Sequence, residues 1–349
     1  MKVTLVGGGT AGHVNPNFAV AELLQKNYPN IKLSFITSNQ SFERSLFAPY
    51  HYDVSYITAG KLRRYFSLQN FIDPLKVFWG FVQSLRILIN RSPDIVFMKG
   101  GFVCVPVAFA CKILRIPFII HESDASLGLA NKIVSFLTNQ VWYSSQSFRS
   151  PKPNYLNVKI PVKPSLKLGN PNKIPGFSKL TTQKPTLLIV GGSSGAKAIN
   201  DFVFSNLNQL VKSYNIIHLT GKINSENIPS QTPSNYLHFD YVDDLKDIYA
   251  CSDIVLSRAG AGSLAEFEFL GLPAVLVPLP VSQSRGDQLL NAQDFQARGL
   301  GITIHQDSLE IQHLLSSLQT LLSNYKPQKS HLDSTSQIFL AALNKVLQK

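Results

Sequence analysis

Two segments of the chain open in the same way, and that recurrence limits the fold more than any other feature. Leu5-Val6-Gly7-Gly8-Gly9-Thr10-Ala11-Gly12 and Ile189-Val190-Gly191-Gly192-Ser193-Ser194-Gly195 each run an apolar strand into a glycine turn and then into a helical pattern. Such a turn points bare backbone N–H groups and the positive end of a helix dipole at one place, where a phosphate can sit. Around both openings, β-branched runs alternate with amphipathic stretches, the pattern of parallel βαβ units. Strands are predicted at 3–6, 33–37, 95–98 and 117–121, and again at 186–190, 216–219, 236–239, 254–256, 274–277 and 301–304. Between them, residues 150–184 lose their periodicity to prolines and lysines, which predicts an interdomain connection. The expected architecture is α/β: two doubly wound, Rossmann-like domains facing each other across a cleft. One covers 1–162 and is completed by the last helical stretch, 332–349; the other covers 163–331.

A length of 349 residues agrees with two domains at about 150 residues each. Hydrophobic residues at 44% and charged residues at 15% exclude a mainly disordered chain. The three cysteines, Cys104, Cys111 and Cys251, include no CxxC pair, which excludes a disulfide scaffold and a cysteine zinc site and fits a reducing cytosol. Met1 leads directly into a strand pattern without the apolar region of about 7–15 residues that a secretory signal needs, and no uncharged apolar run reaches about 18 residues. Neither export nor a membrane span is expected.

Charge is unevenly placed. Residues 1–162 hold 17 Lys and Arg against 7 Asp and Glu, while the remainder is nearly balanced. A basic first half attracts nucleic acid, an anionic membrane or a phosphorylated substrate. Residues 61–91 interleave Lys61, Arg63, Arg64, Lys76, Arg86 and Arg91 with Phe71, Phe78, Trp79 and Phe81. That mixture suits an anionic lipid surface, with core packing of the aromatics as the alternative. No RNA-binding motif accompanies it, so nucleic acid is not an expected partner.

Gly7, Gly9 and Gly12 satisfy G-x-G-x-x-G, which raises a dinucleotide site. However, the acid expected about 20 residues on, at the end of the second strand, is missing from Ile36-Thr37-Ser38-Asn39-Gln40. A phosphate-facing loop and a loop that merely turns the chain stay open. His13 follows at once. With an ordinary pKa of about 6.5 it suits a general base for a hydroxyl nucleophile, or else a capping or anion-binding residue. His121-Glu122-Ser123-Asp124 lies at a predicted strand end, where Asp124 can accept a proton or bind a sugar hydroxyl, or the group can cap a helix through Asn131. In the second half, Ser257-Arg258-Ala259-Gly260-Ala261-Gly262-Ser263 offers small residues for the approach of a diphosphate. Glu266 beyond it can take two ribose hydroxyls or simply pair with a helix dipole. No D-x-D occurs to hold a divalent metal on that diphosphate.

Six ordered motifs, taken together, resemble the MurG family of UDP-N-acetylglucosamine transferases along nearly the whole chain. They are Gly8–His13, Lys99-Gly100-Gly101-Phe102, His121–Asp124 with Gly128–Asn131, Gly191–Ala196, Ser257–Ala261, and Ser284-Arg285-Gly286-Asp287-Gln288 with Asn291-Ala292. Ala11, Ser194 and Lys163 replace the commoner glycine, glutamine and arginine, and the HESD and SRGDQ forms are similar to a Gram-positive-type branch. The resemblance implies a GT-B fold and an inverting, metal-independent transfer of GlcNAc from UDP-GlcNAc to lipid I, giving lipid II for peptidoglycan, with no cofactor. It implies His13 and Asp124 as catalytic candidates, and Gly9, Thr10, Gly12 and His13 at the acceptor pyrophosphate. For the donor it implies Thr10, Ala11, Gly12, Asn131, Lys163, Ser193, Val242, Arg258, Ala261, Gly262, Ser263, Glu266, Asp287 and Gln288. Peripheral attachment to the cytoplasmic face of the cell membrane, and cell-wall synthesis proteins as further partners, complete the expectation. A related transferase acting on diacylglycerol and a non-catalytic nucleotide-sugar-binding protein are the alternatives.

Overall fold

The computed structural model describes residues 1–60, 69–149, 151–192, 195–221, 228–229, 231–242, 244–325 and 332–348, without the side chains of 69–72 and 332–334. The chain divides into two compact units, Met1–Lys163 with Leu332–Lys349, and Pro164–His331.

In the first unit, seven strands form one wholly parallel sheet: β1 (Lys2–Gly7), β2 (Lys32–Ser38), β3 (Asp53–Ile57), β4 (Ile95–Gly100), β5 (Phe118–Glu122), β6 (Val141–Tyr143) and β7 (Tyr155–Asn157). Their spatial order is β3-β2-β1-β4-β5-β6-β7. The helices are α1 (Ala11–Asn27), α2 (Ser41–Phe47), α3 (Gln69–Arg91), α4 (Cys104–Leu114) and α5 (Leu129–Val134). Strand order reverses between β1 and β4, and in such sheets ligands bind beyond the strand carboxyl ends at that switch. The register pairs Gly7 with Gly100 there, after an irregularity at Val6/Gly7, so two glycine turns lie side by side.

The second unit repeats the plan with β8 (Thr186–Val190), β9 (Asn215–Leu219), β10 (Tyr236–Phe239), β11 (Ile254–Ser257), β12 (Ala274–Leu276) and β13 (Gly301–Thr303), in the order β10-β9-β8-β11-β12-β13 and again all parallel. Its helices are α6 (Lys197–Ser213), α7 (Lys246–Tyr249), α8 (Ala261–Leu270), α9 (Asp287–Ala297) and α10 (Ile311–Asn324). The switch lies between β8 and β11, where Val190 pairs with Ser257 and the Ser257 hydroxyl donates to the Val190 carbonyl at 2.8 Å.

α11 (Leu332–Leu347) belongs to the first unit, where Phe339 meets Phe97 and Trp142 edge-on at 5.5 Å each. All ten strands anticipated from β-branched runs are present. Three short elements, β3, β6 and β7, were not anticipated, because strands of three to five residues are too short for their alternation to stand out. β7 lies inside the stretch expected to be a plain connection, which also holds 3-10 turns at Pro164–Leu168, Pro171–Lys173 and Phe177–Lys179. Proline sets φ near −65° and starts such turns without strain.

Candidate active site

The first unit's switch point is lined from three strand ends. After β1, Gly9 takes φ +91°, and a Cβ there would stand 2.6 Å from the Phe102 ring, so no other residue fits the turn. The Gly9 N–H donates to Glu43 Oε1 at 2.7 Å, and Ser38 Oγ donates to the same oxygen. Glu43 is fully buried, and its Oε2 has no partner. The donor of Gly9, read from sequence as facing a pyrophosphate, is therefore turned inward onto a carboxylate. Ala11 and Gly12, in the first turn of α1, are left to present backbone N–H groups to an anion.

Thr10 precedes α1, and its Oγ1 lies 3.1 Å from His13 Nδ1. If Nδ1 carries the proton and donates to Thr10, Nε2 keeps a lone pair and can accept a proton. His13 also borders the second glycine turn: Cβ atoms at Gly100 and Gly101 would lie 3.2 and 3.3 Å from its ring. The same Gly100 position is 3.2 Å from the Asn131 amide, so His13 and Asn131 flank one narrow space.

Glu122, at the end of β5, organises the third side. Its carboxylate accepts from the N–H groups of Ser123 (3.0 Å), Asp124 (3.2 Å) and Gly128 (2.9 Å) and from Asn131 Nδ2 (3.0 Å). This fixes the backbone that carries Asp124. Lys99 is buried at the end of β4; burial pushes its pKa down, opposed chiefly by the charges of Glu122 and Asp124. His121 is fully buried with Nε2 2.9 Å from the Val158 carbonyl. Burial, and then the charge of Lys99, lower its pKa to about 3, so it stays neutral and structural. From sequence, Asp124 alone is given a role, while Glu122 and Lys99 stand only as members of their motifs. An acid closing a strand directly before a turn with a glycine six residues on was the available signal for Glu122.

In the second unit, the β8–α6 turn and the ends of β11 and β12 enclose a cavity of about 490 Å³ lined by Gly191, Gly195, Arg258, Gln283, Gln288 and Gln306, among others. Arg258 is buried. Its Nη1 donates to the carbonyls of Val277 (2.9 Å) and Pro278 (3.3 Å), and its Nη2 to Gln306 Oε1 (2.7 Å), while Nε has no partner. Those acceptors are neutral oxygens, so the cation keeps its charge for whatever enters the cavity. Gln288 Oε1 accepts from the Leu279 N–H at 3.0 Å. Gln306 was missed in the sequence, although a polar side chain just after the last strand is where a switch-point ligand would look for one.

The other expected donor residues scatter. Ala261, Gly262 and Ser263 form the first turn of α8, and a Cβ on Gly262 would meet nothing within 4 Å, which leaves that turn open. Glu266, one turn further, accepts from the Tyr249 hydroxyl at 2.7 Å. Asp287 is buried and ion-paired with Arg285 Nε at 2.8 Å, and Val242 is half-buried; neither Glu266, Asp287 nor Val242 lines the cavity. Ser193 lies outside the described residues. Thr10, Ala11, Gly12, Asn131 and Lys163, grouped from sequence with the donor, belong to the first unit. There the Lys163 ammonium sits over the rings of Phe18 and Tyr50 and is 3.2 Å from the Tyr50 hydroxyl.

On the surface of the first unit, α3 shows two apolar faces. Val77, Phe81 and Leu85 pack on the core, whereas Leu75, Phe78, Trp79, Val82 and Ile89 face outward, with Phe78 60% and Trp79 57% exposed. α4 packs on α3 and adds exposed Phe109 and Ile113. Phe81 thus serves the core rather than the outer face. Lys61, Arg63 and Arg64 lie outside the described residues, as does the side chain of Phe71. No helix among the described residues is long and apolar enough to cross a membrane.

Two Rossmann-like units, each with a glycine turn at its switch point, define the chain as a GT-B glycosyltransferase fold. Residues 3–143 match the glycosyltransferase family 28 N-terminal domain and residues 186–345 the family 28 C-terminal domain. The chain is 41% identical over 330 residues to the UDP-N-acetylglucosamine–N-acetylmuramyl-(pentapeptide) pyrophosphoryl-undecaprenol N-acetylglucosamine transferase of Clostridium botulinum, covering 93% of this chain and 91% of that one. It is 37% identical over 334 residues to transferase 2 of the same description from Bacillus cereus, covering 95% and 94%. The crystal structure of Acinetobacter baumannii MurG superposes with a TM-score of 0.67 at 26% identity over 99% of this chain and 98% of that one. The UDP-GlcNAc 2-epimerase of Neisseria meningitidis shares the fold alone, with a TM-score of 0.67 at 14% identity over 99% of this chain and all of that one. The chain belongs to glycosyltransferase family 28 and, within it, to the MurG group.

Proposed function

We propose that this chain transfers N-acetylglucosamine from UDP-GlcNAc to lipid I, forming lipid II for peptidoglycan. The observation that carries the reading is the 41% identity to a transferase of that description across 93% of the chain. The buried, carboxylate-free Arg258 beside an open cavity supports it, because such a cation suits a diphosphate.

The second unit is the donor domain. Arg258 and the open first turn of α8 take the diphosphate, Gln288 the sugar and Glu266 the ribose. The first unit is the acceptor domain, with the first turn of α1 at the lipid pyrophosphate. The acceptor hydroxyl oxygen bonds to the anomeric carbon as the bond from that carbon to the UDP oxygen breaks, inverting the centre. His13 takes the hydroxyl proton, while Arg258 and helix N-termini meet the charge growing on UDP in place of a divalent metal. The outward face of α3 and α4 docks the enzyme on the cytoplasmic side of the membrane, where the lipid acceptor lies.

UDP release measured with lipid I, with diacylglycerol and with no acceptor tests the assignment. Turnover confined to lipid I is expected. Equal turnover on diacylglycerol would indicate a different lipid glycosyltransferase, and binding of UDP-GlcNAc without turnover on any acceptor would remove the catalytic reading.

A further inference from the structure

We propose that Tyr249 is a positioning residue that aims the Glu266 carboxylate at the ribose of the donor, which rests on the ribose role given to Glu266 above. The two residues approach from different elements. Tyr249 ends α7 and is 4% exposed, with its ring edge-on to Phe267 at 6.2 Å and its N–H donating to the Leu245 carbonyl at 2.8 Å. Glu266 lies on α8 and is only half-buried. Its flexible side chain would lose rotamer freedom on meeting a ligand. The hydroxyl of a ring fixed in the core instead holds Oε2 at 2.7 Å before any ligand arrives, so rigidity of the core is passed to a carboxylate at its edge.

The direction of donation is also fixed. Burial, then the charge of Glu266 and the hydrogen bond to it, push the Tyr249 phenol well above its ordinary value. It remains protonated wherever the enzyme works and can only donate to the carboxylate. The interaction sets how the carboxylate is turned, and through that the preference for a nucleotide with both ribose hydroxyls.

Calorimetry on the full chain with UDP and with 2′,3′-dideoxy-UDP tests the role. Tyr249→Phe keeps the ring on Phe267 and leaves Glu266 able to turn to water, so the fold should hold, which thermal unfolding checks. The wild type should prefer UDP. Tyr249→Phe should lower that preference about five- to tenfold, the scale of one ordinary net hydrogen bond, with dideoxy-UDP binding nearly unchanged. Glu266→Gln, whose amide oxygen still accepts from the phenol, should retain more of the preference than Glu266→Ala. If Tyr249→Phe leaves the preference intact while Glu266→Ala abolishes it, the positioning role is wrong and the ribose reading stands. If Glu266→Ala also leaves it intact, the ribose reading fails and takes the proposal with it. Equal weakening of both ligands in Tyr249→Phe would mean a purely structural tyrosine and would overturn the inference.

Discussion

His13 and Asp124 differ in how they are held, and this gives a direct test of which is the base. His13 has Thr10 against Nδ1 and the tight Gly100–Gly101 turn beside its ring, whereas Asp124 is tied through its backbone N–H to Glu122. His13→Ala should lower kcat about 10²- to 10⁴-fold with little change in UDP-GlcNAc affinity, measured by steady-state kinetics and calorimetry. If Asp124→Asn takes that loss and His13→Ala does not, the two roles exchange. Glu43 acts behind the loop. Its removal takes the partner from the half-buried Gly9 N–H and from the buried Ser38 hydroxyl, so Glu43→Ala should destabilise the chain by about 1–3 kcal/mol in denaturant titration, and Glu43→Gln, which still accepts from Gly9, should recover part of that. Nothing in the sequence marked Glu43 for this: it stands beyond the position where a dinucleotide fold keeps its ribose-binding acid, and only the fold brings it onto the glycine turn.

Among the elements, α3 separates two functions along one helix. Phe78→Ser with Trp79→Ser should leave the unfolding temperature nearly unchanged and reduce the salt-resistant part of binding to anionic vesicles, because both side chains face outward. Phe81→Ser should instead lower the unfolding temperature, since its ring packs on the core. A vesicle-sedimentation series over salt concentration, beside thermal melts, distinguishes the two. The basic-aromatic composition of 61–91 was legible in the sequence, but the split between faces was not, because both faces of α3 are apolar and periodicity alone does not say which one is covered. α4 was equally opaque: its run from Cys104 to Leu114 is apolar except for Lys112, yet Phe109 and Ile113 are exposed. α11 supplies a further test. Phe339→Ala should cost about 3–5 kcal/mol, by emptying the space between Phe97 and Trp142.

Over the whole molecule, each unit carries a buried neutral histidine that ties stability to pH. Burial lowers His121 in the first unit and His218 in the second to about 3, with Lys99 and His238 adding to the effect. His218 is held by the Tyr236 hydroxyl and the Asn200 amide oxygen at 3.0 Å each. The unfolded chain, with ordinary histidines, binds protons below about 6.5 that the native chain refuses. Stability from these groups is complete above that pH and is lost as pH falls toward 3. Melting temperatures should therefore drop across that window, and His121→Gln or His218→Gln should make the drop shallower. The doubled architecture was readable from glycine turns and β-branched runs, because those are local signals. Arg258 and Gln306 act through partners far along the chain, which meet only once the strands are ordered, whereas Glu122 is held by residues one to nine positions on, in a turn whose geometry the residue types alone do not state. Incubating the chain with radiolabelled UDP-GlcNAc and lipid I in excess EDTA, extracting the lipids and identifying the labelled product tests metal-independent transfer to lipid I. Label is expected in lipid II, joined through an inverted glycosidic bond. Label that stays in the aqueous phase would rule out the transfer, and label that enters lipid only when magnesium or manganese is restored would rule out its independence of a metal.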